Sequence, residues 1–163
     1  MRSLSPVARH RAEMQGFVGL DDEHLAEINS WLRLSPGICL AWVAAATVTA
    51  SPVLMLALVP FAAGGAVLRN HPFDVIYNHG LRHLLGTRPL PRYGAPRRFA
   101  CAVGSLWMTA AGTALAAGFT TLGLVLGVAM VALASVQVLT GFCVPSFIYQ
   151  LGRERRRPRP LTA

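Results

Sequence analysis

The sequence predicts an all-α integral membrane protein: a four-helix bundle made of two helical hairpins, with two amphipathic helices on its cytoplasmic surface. Three observations predict it. First, 53% of the 163 residues are apolar and only 13% charged, which is too greasy for an ordinary soluble domain. Second, every Arg, Asp, Glu and His avoids two stretches, Leu34–Leu68 and Phe99–Gly152, of 35 and 54 residues. Third, all 15 basic residues are Arg, with four before the first stretch, six between the two and five after the second. A soluble enzyme, a disulfide scaffold and a nucleic-acid module are thereby excluded.

Residues 1–33 form a cytoplasmic N-terminal segment. No apolar core precedes a small-residue cleavage site there, so no cleavable signal is expected. Asp21 is placed to cap a helix reaching about Arg33, with Asp22, Glu23 and Glu27 near its positive end. Leu25, Ile28 and Leu32 share one face of it, and Trp31 would sit at headgroup level. Because roughly 20 residues cross a bilayer once, the 34–68 stretch must be a hairpin. Ser35-Pro36 and Ser51-Pro52 each set a capping hydroxyl before a proline at the first helical position. They predict short spans at about Pro36–Ala50 and Pro52–Leu68.

In the 69–98 connection, Phe73, Ile76, Tyr77, Leu81, Leu84 and Leu85 recur at helical spacing, while Asp74, Asn78 and Arg82 form a polar row. An interfacial helix over Pro72–Leu85 is predicted, followed after Gly86 by an extended Arg88–Arg92 crossing. The second hairpin, 99–152, divides near Gly118-Phe119-Thr120-Thr121 into spans at about Phe99–Ala117 and Thr121–Tyr149. Pro145 is expected to kink the latter and leave the Gly141 carbonyl without its donor. Residues 153–163 form a basic tail, attracted to anionic lipid by roughly 1 kcal/mol per basic residue.

Four spans place the N-terminus, the 69–98 loop and the tail on one side, and all the arginines with them. By the positive-inside rule that side is the cytoplasm, and the absence of Lys suggests a GC-rich bacterial genome, hence a bacterial inner membrane. The bilayer is the first partner. Nucleic acid is not one, because the arginines flank spans and no aromatic stacking set accompanies them.

Candidate chemistry is sparse. Transporters and pumps keep ionisable groups within the membrane, and these spans hold none. Gln137 is the most polar residue inside, suited to a hydrogen bond between helices, and Gly123-x-x-x-Gly127 lets two backbones approach. The helix facing those glycines belongs either to the same chain or to a second copy in a homo-oligomer. His79 and His83 lie four apart and could share a metal with His71 or Asp74. Without a flanking Glu motif they read as a solvated face, so neither metal nor cofactor is expected. The three cysteines lie three, six and ten residues from the nearest flanking Arg. These separations are depths of about 5 Å for Cys101, 9 Å for Cys39 and 15 Å for Cys143. Cys143 stands beside Pro145 and is the candidate reactive thiol.

Three patches together resemble a known family: His71-Pro72-Phe73-Asp74 with Tyr77-Asn78, then Pro96-Arg97-Arg98-Phe99-Ala100, and Gly141-Phe142-Cys143 with Tyr149. The chain is similar over residues 20 to 152 to the small bacterial integral-membrane family catalogued as domain of unknown function 4395. The resemblance carries no established activity. It implies a thiol or sulfur context, with thioredoxin-like and sulfurtransferase partners. Many members end the last span with Cys-x-x-Cys, matching Cys143 and position 146. Here position 146 is Ser, so only a monothiol role for Cys143 survives.

The expected function is a non-catalytic accessory or scaffold in a membrane complex, presenting Pro72, Phe73, Asp74, Tyr77, Asn78, Arg82, Arg97 and Arg98 to a partner. A membrane thiol protein using Cys143 with Cys101 or Cys39 is the alternative, and passage of a small solute through the bundle is a third.

Overall fold

Ser-Pro and Gly punctuation sets most of the helix boundaries. The structure is a computed structural model and describes residues 5–156. Ser5 accepts from the Ala8 amide and Pro6 opens α1, Pro6–Met14, a helix not expected from the sequence although Ser5-Pro6 repeats the Ser51-Pro52 pattern. Asp21 accepts from the His24 amide at 2.6 Å and starts α2, Asp22–Ile28. The anticipated helix to Arg33 stops early. A 3₁₀ turn over Trp31–Arg33 runs directly into α3, Leu34–Val48.

Ser35 is therefore not a cap. It lies inside α3, fully buried, and its hydroxyl donates to Asp74. Ser51 does cap α4, Pro52–Val67, through the Leu54 amide. The next segment is helical in three pieces: α5, Pro72–Ile76, a π-helical turn over Tyr77–Leu81, and α6, Arg82–Leu85, closed by Gly86 at φ 64°. The first member of its polar row turns inward: Asp74 is only 3% exposed.

After an extended stretch, α7 covers Ala95–Ala116 and draws Arg97 and Arg98 into its first turn. Gly118, at φ 82°, makes the turn to α8, Thr120–Thr140. The expected long fourth span breaks at Gly141, φ 72°. Pro145 sits instead in the first turn of α9, Val144–Arg156, where its missing N–H interrupts no bond. Of the basic tail, Arg157 and Arg159 lie outside the described residues.

Trp31–Val48, Ala95–Ala116 and Thr120–Thr140 are each long and apolar enough to cross a membrane. The 16 residues of α4 span about 24 Å, and α4 makes a fourth candidate together with the segment 72–85, from which it is bent by 77°. α4 packs along α7, α7 along α8, α8 along α3 and α3 along α4. On α8 only Gly123 and Gly127 are buried, while Leu122, Val125, Val128 and Leu139 are exposed. Apolar helices with so much uncovered surface belong in lipid.

The buried apolar residues fall into two clusters. One joins the long helices through Val43, Ala46, Met55, Leu58, Met108 and Ala111, with Phe73 inserted from α5. The other, Ala12, Phe17, Leu25, Ile28, Leu32, Tyr77, Leu90 and Tyr93, builds a cap from α1, α2, the π turn and the extended stretch.

Gly123 faces Leu115 and Ala111 of α7, whereas Gly127 faces Thr47 of α3, so both glycines seat helices of the same chain. A Cβ at Gly127 would stand 2.5 Å from the Thr47 hydroxyl oxygen. Gly127→Val is expected to destabilise the protein by about 1–3 kcal/mol through overpacking. Gly37→Ala, where a Cβ meets nothing within 4 Å, should stay within about 0.5 kcal/mol, both measured by equilibrium unfolding in mixed micelles.

Candidate functional site

The junction between cap and helices is organised around Arg97. Gly94 precedes α7 in extended conformation and Pro96 occupies its first turn, which aims Arg97 back into the cap. The guanidinium carbon lies 5.2 Å from the Phe17 ring centroid and 4.8 Å from that of Tyr93. Nη2 donates to the Leu32 carbonyl at 2.8 Å and Nη1 donates to Gln15 Oε1. Arg97 is 3% exposed, and among the described residues no carboxylate pairs with it directly. Cation–π contacts and two charge-assisted hydrogen bonds replace its lost water.

Gln15 extends the network. Its amide nitrogen donates to the Gly141 carbonyl at 2.8 Å, so the acceptor expected to be orphaned is satisfied across the fold. The remaining carbonyls at the end of α8 are treated alike. Arg33 Nη1 donates to Val138 and Leu139, both at 3.0 Å, Arg11 Nη1 donates to Thr140, and the Gly141 amide donates to Gln137 at 2.8 Å.

A second polar set lies beside it. The Ser35 hydroxyl donates to Asp74, linking α3 to α5. His71 caps α5, its Nδ1 accepting from the Phe73 amide at 3.4 Å, and its ring lies 6.4 Å from that of Tyr93. Gly65 of α4 makes room for both His71 and Cys101, since a Cβ there would stand 2.6 Å from the imidazole and 3.0 Å from the sulfur. Burial pushes the His71 imidazole down to about 4, Asp74 opposing and Arg97 reinforcing the shift. Burial likewise raises the Tyr93 phenol well above its ordinary range.

Two cavities meet at Arg97. A small one, about 100 Å³, is lined by Cys39, Cys101, His71, Tyr93 and Arg97 together with Val43, Met108 and Met130. A larger cleft, about 260 Å³, is lined by Arg11, Arg33, Arg97, Gln15, Asn29 and the end of α8. Pro36, Arg97 and Gln137 belong to both walls, which is where Gln137 is found.

The other expected site residues disperse. Phe73 and Tyr77 are buried, and Tyr77 hydrogen-bonds Thr87 at 2.7 Å. Asn78 brackets Leu90, accepting from its amide at 2.7 Å and donating to its carbonyl at 3.3 Å. Arg82 donates to the Asn78 carbonyl, and Arg98 closes the end of α4 through the Ala66 and Val67 carbonyls. Pro72 opens α5. His79 Nδ1 engages the Val75 carbonyl at 3.0 Å, and among the described residues no three His, Cys, Asp or Glu gather for a metal. Cys143 is 4% exposed in the break before α9 and is not one of the residues that line the cavity holding Cys39 and Cys101. Ser146, fully buried, donates to the Pro96 carbonyl at 3.2 Å.

The family described as Domain of unknown function (DUF4395) matches residues 29–154. The chain belongs to this family. No curated protein and no solved structure matches the chain. The family stretch contains Arg33, Ser35, Asp74, Tyr93, Arg97 and Gly141, whereas Arg11, Gln15 and Phe17 precede it. In this member the Arg97 environment is therefore completed by residues outside the family stretch.

Sequence reasoning did not find Gln15, Phe17, Ser35, Tyr93 or the pairing of Arg11 and Arg33 with α8. Only Ser5-Pro6 carried a local signal, for the helix that delivers Arg11 and Gln15. The state of His71 has a measurable consequence. Its imidazole binds a proton less readily folded than unfolded, where its value is 6.5, so the unfolded chain holds more protons between the two. Stability should be complete above about pH 6.5 and fall as the pH is lowered toward 4. Chemical unfolding at pH 4.5, 5.5 and 7.5 should show this slope in the native chain and a flatter one in His71→Asn.

Proposed function

We propose that this family member is a four-crossing protein of the bacterial inner membrane, with both ends and the 69–98 connection in the cytoplasm, acting as a non-catalytic accessory component of a membrane assembly. α3, α4, α7 and α8 would be the crossings. The observation that carries the reading is how the polar and apolar side chains are divided. Buried polar groups such as Gln15, Ser35, Asp74, Arg97 and Ser146 are spent on one another or on backbone carbonyls, while Ile76, Leu84 and Leu85 stay exposed on the 72–85 segment. Internal bonds that fix a cap suit a scaffold, and exposed apolar side chains beside the helices suit contact with lipid or a membrane partner.

Extraction in mild detergent with crosslinking and mass spectrometry tests it. A recurrent membrane protein should crosslink to the native chain and be lost from Leu84→Glu/Leu85→Glu at unchanged expression. A lone monomer, indifferent to those substitutions, would sink the reading, as would a reporter after Ala163 that reads periplasmic.

A second reading, a membrane thiol protein, is favoured by one observation: Cys39 and Cys101 line the same cavity with Arg97. It moves the candidate thiols from Cys143 to this pair. A small membrane-permeant maleimide should modify Cys39 or Cys101 in native membranes, and Cys39→Ser/Cys101→Ser should abolish that labelling while Cys143→Ser leaves it. Labelling that appears only after denaturation removes this reading.

A further inference from the structure

The larger cleft has an unusual balance of charge. Arg11, Arg33 and Arg97 all line its 260 Å³, and among the described residues no acidic side chain does. The acids of the cap are engaged elsewhere: Glu13 and Asp22 with Arg9, and Asp21, Glu23 and Glu27 with Arg88. The carbonyls ending α8 supply a partial counter-charge, but a helix terminus amounts to about half an elementary charge against three whole ones. Asp74, which accepts from the Ser35 hydroxyl, does not line the cleft. Each guanidinium carries five N–H groups. Arg33 gives two to Val138 and Leu139, Arg11 one to Thr140, and Arg97 one each to Gln15 and Leu32.

We propose that this cleft is an oxyanion site, built for a tetrahedral phosphate- or sulfate-class group held by the three guanidiniums. The N–H groups not given to these acceptors can serve the oxygens of such a group, and a forked donor set binds them better than point charges would. The volume exceeds that of several waters at about 30 Å³ each, so the site is large enough for the group and part of what it is attached to. The cleft opens beside the last turn of α8, where an exposed apolar helix ends. That position admits either a free oxyanion or the phosphate of an anionic lipid.

The full chain in a neutral detergent is titrated with inorganic phosphate and sulfate at constant ionic strength, by calorimetry and by thermal unfolding. In parallel, the protein in phosphatidylcholine nanodiscs with and without phosphatidylglycerol is examined by native mass spectrometry for retained lipid. Saturable binding of phosphate or sulfate, absent with chloride, supports the site for a free anion. Selective retention of phosphatidylglycerol supports it for a headgroup. Arg11→Gln should weaken the positive probe roughly tenfold or more, Arg11→Lys less, and Arg88→Gln not at all. Arg33→Gln serves as a second reporter wherever its circular dichroism matches the native chain. No binding of either probe to the folded native protein overturns the proposal, and so does an equal loss from Arg88→Gln and Arg11→Gln.

Discussion

The structure depends on a positive charge kept out of water at the place where a polar cap meets apolar helices. Removing a guanidinium from solvent costs several kcal/mol unless its surroundings answer it, and Arg97 has no direct carboxylate partner among the described residues. Its answer comes from three separate pieces of chain: the stretch that ends α1, with the Gln15 side chain and the Phe17 ring, the carbonyl of Leu32, and the ring of Tyr93. Each is fixed by a different element, so the charge is tolerable only once those elements are together. Arg97 acts through this requirement as a specificity device. Misplaced arrangements of the cap leave it unsolvated.

The same constraint explains how α8 ends. A helix terminus leaves carbonyls unpaired, which in lipid is costly for each group. Here Gly141 turns the chain and closes the Gln137 carbonyl, and the side chains of Arg33, Arg11 and Gln15 close the next four. The break between α8 and α9 is thereby fastened to α1 and α3. Ser146, donating to Pro96, fastens α9 to the start of α7, one residue from Arg97. Among the helices themselves, where water supplies little driving force in a bilayer, close approach takes over: Gly112 against Leu56, Gly123 against Leu115 and Gly127 against Thr47.

What the sequence made legible follows from how local each signal is. The uncharged stretches, the Ser51 and Asp21 caps and the turns at Gly86 and Gly118 are consequences of neighbouring residues, and each stands where the pattern puts it. Ser35 shows the limit. Its local environment matches that of Ser51, but a buried carboxyl 39 positions away takes its hydroxyl. Pro145 reads locally as a kink because nothing nearby announces that Gly141 ends the preceding helix with Arg33 packed against it. The Arg97 site lies beyond reach for the same reason: its acceptors come from positions 15 and 32 and its ring contacts from positions 17 and 93, and no spacing rule relates them.

The arginines at the end of α8 carry two demands that pull in the same direction. Closing carbonyls requires donors at a negative helix end, which draws cations there for stability alone. Arg11 and Arg33 meet that need and stand with Arg97 in one cleft; three cations exceed what the helix end can neutralise, and their mutual repulsion rises as the surroundings become drier. A bound oxyanion would relieve that repulsion while leaving the carbonyl bonds intact, since a guanidinium has N–H groups enough for both. Stability and binding are then coupled through the same side chains: ligand in the cleft would tighten the junction of α1, α3 and α8 and, through Gln15 and Arg97, the seating of the whole cap.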